Sequence, residues 1–392
     1  VYGFDLEKQT LAPAIVLDLN IYDACEHEYQ VLHFTSRNLD MMVTPEHNCL
    51  ARRRSTTRNK EGRVREIKTG FTLVKAKDLH TGHHLLCTSI LSWNDRSGER
   101  MAKDREFSDE FIRLCAWVMT EGSYHPTGGI VVTQSREHNS PFIEELDLFH
   151  TAFPTSVFEK TDHQTYSSLG TATTSYRFAI RREIGMLIRQ LMPQKYPTPT
   201  FIRMMTASQK RLFLYEAIKG DGDWGPDQKN LAVIERNRDF WTATRTPRIC
   251  CGKKEEADAV QMIATLVGIR AHIHDKTDAE HYKTPVKSWL VSLLRNGETA
   301  HVIACDKAEV TVPMIWCPTT TTGTWIARRN GSVFVTGNSH VADAWANAVC
   351  VIAPWSMQMQ GEYTKRRTLG PQPRRRALAA SYATPIPVAG GF

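Results

Sequence analysis

The feature that most constrains this chain is an interruption. Residues 1–90 alternate apolar and polar side chains at a period of two, in "IVLDLNI", "YQVLHF", "LDMMVT", "FTLVKA" and "HLLCTS", with polar turns between them. Such runs predict the short, half-buried strands of an all-β unit. The alternation then stops, and about 200 residues later it returns in "AEVTVPMIWC", "TWIARR" and "SVFVTG". Strands from both ends of that gap must close around whatever lies between them. The expected fold is therefore mixed, with an α+β domain inserted into an all-β domain. At 392 residues the chain also exceeds the size at which one core keeps growing.

The inserted text has its own period. After a polar linker over 92–108, "DEFIRLCAWVMTEG" reads as a helix, "GGIVVTQS" and "TSYRFAI" as strands, and 142–152 and 183–192 as further helices. A second round opens with the helical "SQKRLFLYEAIKGDGDW". It continues through "LAVIER", the helical "KKEEADAVQMIATLVG", and the strands "IRAHIHD" and "SWLVSLL". The two rounds form a degenerate repeat of roughly 100 residues. The domains expected on this reading are 1–95 and 305–338 for the β unit, 96–304 for the insert, and 339–392 for a separate tail.

Composition excludes several classes. Hydrophobic content of 41% and charged content of 23% are those of a globular chain. No apolar run is long enough to span a bilayer, so no membrane partner is expected. Nine cysteines include no C-x-x-C pair, which argues against structural zinc or a disulfide framework and points to a reducing, cytoplasmic setting. The opening "VYGFDLEKQT" is neither a signal peptide nor a methionine start, and reads as the interior of a longer frame.

Two helix ends carry chemistry. "LCAWVMTEG" (Leu114–Gly122) and "LYEAIKGDG" (Leu214–Gly222) each finish on a carboxylate followed by glycine, as a helix stopped by a glycine cap would. Packed side by side they would bring Glu121 and Asp221 together. Two carboxylates at close range repel and share protons unless divalent cations hold them. Such a pair facing a phosphodiester is a two-metal arrangement for in-line hydrolysis.

These segments resemble the two motifs of LAGLIDADG homing endonucleases, monomers with two αββαββ-type halves that cut a long double-stranded DNA site. The resemblance implies Mg2+ held by Glu121 and Asp221. "KYPTPTFI" (Lys195–Ile202) resembles the family's Lys-x-Pro element and makes Lys195 the candidate catalytic lysine. "EEADAVQMIATLVGI" resembles the helix and Gly-Ile turn that follow the second motif. The chain departs from the family where Thr120-Glu121 replaces a small residue and Asp. Glu216 and Lys219 are also bulky at positions that normally pack closely.

The β text ends at "VFVTGNSH". The side-chain nitrogen of Asn338 can attack its own carbonyl carbon, close a succinimide and release Ser339. Ser339 brings a hydroxyl able to carry an acyl group as an ester, and Gly337 removes side-chain bulk from the turn. An inserted nuclease in a β domain ending this way resembles an intein with a Hint (horseshoe β) splicing domain. "VTPEHNCL" (Val43–Leu50) is similar to the block whose Thr and His, here Thr44 and His47, polarise and protonate the upstream scissile amide. "MIWCPTT" resembles the penultimate block and "NGSVFVTGNS" the terminal one.

Most inteins carry His before the terminal Asn and another in the penultimate block; Gly337 and Gly323 stand there instead. Cys317 and Thr336 match class 3 inteins, in which an internal Cys forms the first branched thioester. That class also has Trp two residues after the block His, where this chain has Cys49. A class 1 arrangement, with a nucleophile upstream of residue 1, stays open. So do a free-standing nuclease with an inactive β domain and a DNA-packaging fragment. The resemblance further implies about 25 intein residues upstream of "VYGFD", with a host extein joined in cis.

"SHVADAWANAV" resembles the end of the nuclease domain of phage large terminase subunits, with Asp343 as its last metal ligand. The tail beyond residue 338 holds six Lys and Arg against two acids. Such a balance suits a DNA-packaging host or a solvated linker.

Overall fold

The computed structural model describes residues 1–23, 29–36, 38–58, 64–89, 107–135, 149, 151–153, 160–166, 172–223, 246–278, 286–294, 299–301, 304–310 and 314–338. All lie within one compact unit. The described fold is mixed, mostly strands with few helices, and its sheets are open rather than closed into a barrel.

The β unit draws its strands from both ends of the chain. Its largest sheet orders Thr299–His301, His84–Cys87, Asn48–Arg58, Ser332–Gly337 and Thr324–Arg329, with Val64–Lys68 and Thr72–Lys75 also pairing with Asn48–Arg58. Ala304–Val310 pairs with Tyr29–Ser36, and Met314–Thr320 with Val16–Asp23. Every one of these pairings is antiparallel. Alternate side chains of Ser332–Gly337 would face water on a one-sided sheet, yet all six residues are buried. The last strand runs through the centre of the unit. Phe34, Met41, Trp325 and Phe334 fill one part of its core, and Phe4, Leu11, Leu50 and Val335 another.

The insert contains two halves of one topology. Helix α1 (Asp109–Glu121) leads into a sheet ordered Gly122–Tyr124, Ile130–Ser135, Ala172–Ile180, Lys160–Tyr166. After α2 (Arg182–Leu191) and α3 (Pro199–Met204), helix α4 (Ala207–Asp221) leads into a sheet of the same order: Gly222–Asp223, Arg248–Cys251, Val286–Leu294, Arg270–Asp278. In chain order helix α5 (Lys254–Leu266) falls between the first two and the last two strands of the second half. Helix starts are set locally. Ser108 Oγ accepts from Phe111 N, and Thr206 with Gln209 forms a reciprocal capping box. The α1 and α4 faces meet in one core with both sheets, through Trp117, Val118, Phe213, Leu214 and Ile218.

Several strands gave no sequence signal. Asn48–Arg58 is the central strand of the largest sheet, but its text, "NCLARRRSTTR", hides the alternation behind a run of arginines. Thr299–His301 already joins the β sheet ahead of residue 305. The linker over 92–106, "LAVIER" and most of the 142–152 helix lie outside the described residues.

Insert and β unit meet at built contacts. Gly331, at φ +76°, turns the hairpin between Thr324–Arg329 and Ser332–Gly337, and a Cβ there would lie 2.0 Å from Ile273 O. Gln261 of α5 donates to the Gly331 carbonyl at 2.7 Å. Arg328 pairs with Asp258 of the same helix through both its terminal nitrogens.

Candidate functional site

Helices α1 and α4 lie side by side and end level. The approach is close at their C-termini, where a Cβ on Gly220 would fall 2.2 Å from Thr120 Oγ1. The two glycines after the carboxylates do not act as left-handed caps, as the sequence suggested. Gly122 sits at φ −79° and Gly222 at φ −100°, both extended. Space is what requires them: a Cβ would lie 2.5 Å from Val118 O at the first and 2.4 Å from Ile218 Cα at the second.

Glu121 and Asp221 are brought together here. Burial, and then the Asp221 charge, push the Glu121 carboxyl up to about 7, against the opposing pull of the Gln134 amide and Lys195. Lost hydration also raises Asp221, again opposed by Lys195. Lys195 comes from the loop between α2 and α3 and holds φ +73°, a left-handed conformation that costs a side-chain-bearing residue about 1 kcal/mol. Its N–H donates to Met192 O at 3.0 Å, and the Tyr124 hydroxyl donates to the same carbonyl. Strain of this kind persists where surrounding contacts over-determine it.

The sequence singled out neither Gln134 nor Glu256. Glu256, on α5, feels both Asp221 and Lys195, and its carboxylate accepts from Gly252 N at 3.1 Å. Its signal, an acid in the first turn of a helix, is too common to stand out. Among the described residues no three His, Cys, Asp or Glu side chains form a ready-made metal cage. The two carboxylates still fit a hard divalent cation, because their mutual repulsion is what such a charge would cancel, with water and phosphate oxygens completing the shell.

The same helix pair contains a second acidic centre of opposite character. Glu216 is 1% exposed and takes three donors: Arg113 at 3.1 Å, Trp117 Nε1 at 3.0 Å and Lys219 at 3.4 Å. The bulk at 216 and 219 is thus accommodated by a polar network crossing between the helices.

In the β unit, Thr44 and His47 stand in the turn before Asn48–Arg58. That turn is held by Ala76 N on His47 O at 2.8 Å, Lys77 N on Pro45 O at 2.9 Å and Lys75 Nζ on Glu46 O at 2.8 Å. His47 is fully buried, and burial, with Lys75 nearby, pushes its pKa down to about 4. Its Nε2 meets Thr336 Oγ1 across 289 residues of sequence, while the Thr336 hydroxyl donates to Asn48 O at 3.0 Å. Which of the two side chains donates in the His47–Thr336 contact is set by the imidazole tautomer. The other ring nitrogen, Nδ1, has no hydrogen-bond partner among the described residues.

Asn338 lies one residue beyond the strand, and its carboxamide is gripped at both ends. Nδ2 donates to Thr320 O at 2.9 Å, and Thr320 Oγ1 lies 3.0 Å from Oδ1, sharing its single proton with Thr324 O at 2.6 Å. The backbone N–H reaches Gly323 O at 2.8 Å. Trp325 Nε1 donates to Gly337 O at 3.2 Å, and Asn48 Nδ2 to the Asn338 main-chain carbonyl at 3.4 Å. Gly337 is needed for room, since a Cβ there would lie 2.7 Å from Asn48 Cβ. Neither Asn48 nor Thr320 was singled out by sequence, although both lie inside quoted blocks. Cys317 is 2% exposed, three residues before Thr320 on the same strand, with Sγ 3.8 Å from Pro318 O. Ser339 and Asp343 lie outside the described residues.

No family model matches this sequence, and no curated protein does. Among solved structures, "The homing endonuclease I-WcaI bound to its DNA recognition sequence" is similar over 52% of this chain and 84% of that one, at 12% identity and a TM-score of 0.32. A likeness of that size by itself establishes neither fold nor activity.

Proposed function

We propose that this chain is an intein of the Hint type carrying a LAGLIDADG-type DNA endonuclease. One observation carries the reading: a buried His47–Thr336 pair, built from segments on either side of the insert, stands beside a clamped Asn338. In the class 3 scheme the Cys317 thiolate takes the upstream acyl group as a thioester, and the Ser339 hydroxyl receives it. Asn338 then cyclises and breaks its bond to Ser339, and the ester returns to the Ser339 nitrogen. Thr44 and His47, which share one turn, polarise and protonate the amide at the upstream junction. Residues from Ser339 onward are the host segment, of terminase-nuclease type, with Asp343 as its metal ligand.

In the insert, Glu121 and Asp221 would hold Mg2+, which when bound supplies Lewis acidity at the phosphodiester and an activated water. Lys195 stands to offset charge on the scissile phosphate, and Gln134 orients Glu121. Double-stranded DNA is the partner, held mainly through its phosphates, so binding falls steeply with salt.

The test is intact-mass analysis of the full chain with Asn338→Ala and Cys317→Ala. Release of residues 339–392 from the wild type, abolished by Asn338→Ala, supports the reading. An unprocessed wild type beside Mg2+-dependent DNA cutting would leave a nuclease with an inert β unit.

A further inference from the structure

We infer that Asn48 is a catalytic residue of the Asn338 cleavage, acting as the donor to the oxygen on which charge develops; this rests on the splicing reading above. When Asn338 Nδ2 attacks the main-chain carbon of the same residue, a C–N bond forms and the carbonyl oxygen becomes negative. The bond to Ser339 then breaks, and the proton lost from Nδ2 leaves on the Ser339 amine. No water or cofactor is consumed, and the products are a succinimide-ended fragment and a free amine. The rate depends on two things: the aim of the amide nitrogen and the stabilisation of one oxygen.

Both draw on residues the sequence reading passed over. Thr320 contacts both ends of the carboxamide and so fixes its plane. Asn48 Nδ2 points at the Asn338 carbonyl oxygen, the atom that gains charge. The preceding carbonyl, on Gly337, already has a donor in Trp325, so the two carbonyls of the turn are served separately. Asn48 is anchored in turn, because its own carbonyl accepts from Thr336, which meets His47. A preorganised donor of this kind costs no reorganisation during reaction. The crowding at Gly337 gains a second meaning: a side chain there would push against Asn48 Cβ and shift its amide off the carbonyl.

The experiment follows release of residues 339–392 from the full chain by intact mass, with thermal melts of each variant. Asn48→Ala should slow release by about 10- to 100-fold, the low side of an oxyanion-donor loss because the contact is long. Asn48→Asp, which keeps the volume and replaces the donor by an acceptor, should be at least as slow, so a folding defect in the alanine variant leaves the idea testable. The slow fragment should still be one water lighter than a chain ending in free Asn338. Wild-type rates for both variants, with Asn338→Ala inactive, would overturn the role of Asn48 and leave the cleavage reading standing. No cleavage in the wild type would overturn both.

Discussion

Helices α1 and α4 bury acidic side chains in two places, and the two places differ in one respect. Glu216 sits at the middle of the helix pair with Arg113, Trp117 and Lys219 around its two oxygens. Glu121 and Asp221 sit at the ends of the same helices and repel each other, with Lys195 to offset both among the described residues. A buried charge whose partners are all present contributes specificity and rigidity. A like-charged pair left short of countercharge is a cost that the fold alone does not justify, and such unbalanced groups gather at functional sites. The contrast teaches that burial does not identify a site; the deficit in partners does.

The largest effect should come from erasing the unbalanced pair. Glu121→Gln with Asp221→Asn should lower Mg2+-dependent cutting of a randomised duplex library at least ~10³-fold, since the metal loses its ligands. Mg2+ should raise the wild-type melting temperature by linkage and leave that of the double variant unmoved. Retained cutting would place the chemistry elsewhere. Glu216→Gln should do the reverse. Leaving Arg113 and Lys219 without their carboxylate should cost about 3–5 kcal/mol, read as a lower melting temperature, while cutting persists below the transition. Loss of cutting in the folded variant would make Glu216 part of the site.

A third expectation carries the comparison into the β unit. His47 is buried with Lys75 as its nearby charge, and its folded pKa of about 4 lies below the ordinary histidine value of 6.5. Above pH 6.5 both states are neutral and nothing is lost. As pH falls from about 6.5 towards 4 the unfolded chain takes up a proton that the folded chain refuses, so stability should drop by about 3 kcal/mol across that window. Denaturant titrations at each pH should show this fall, and His47→Gln should flatten it. The smallest effect should come from Gly220→Ala, whose methyl meets Thr120 and costs about 1–3 kcal/mol by overpacking. Adding Thr120→Ala should recover most of the loss; no recovery would mean the helices are not held at that contact.

Much of this architecture is readable in the chain, because it is written in periods and spacings. The interrupted alternation foretells a β unit around an insert, and two similar helix ends foretell two halves with Glu121 and Asp221 at matching places. The expectation of succinimide chemistry at Asn338 rests on residue type alone. These signals are local, set by side-chain period and by which residues can occupy a turn.

Tertiary structure decided what those residues face. Only packing shows that Glu216 has three donors, that the glycines after the helices serve clearance rather than backbone angle, and that His47 meets Thr336. Asn48 and Thr320 carry no signal of their own, being common polar residues in strands. Antiparallel pairing sets Thr336 opposite Cys49, next to Asn48, and so brings Asn338 within reach of Asn48 from 290 residues away. A side chain's type is fixed by its codon, but the partners that determine its charge, aim and reactivity are set by the distances that folding closes.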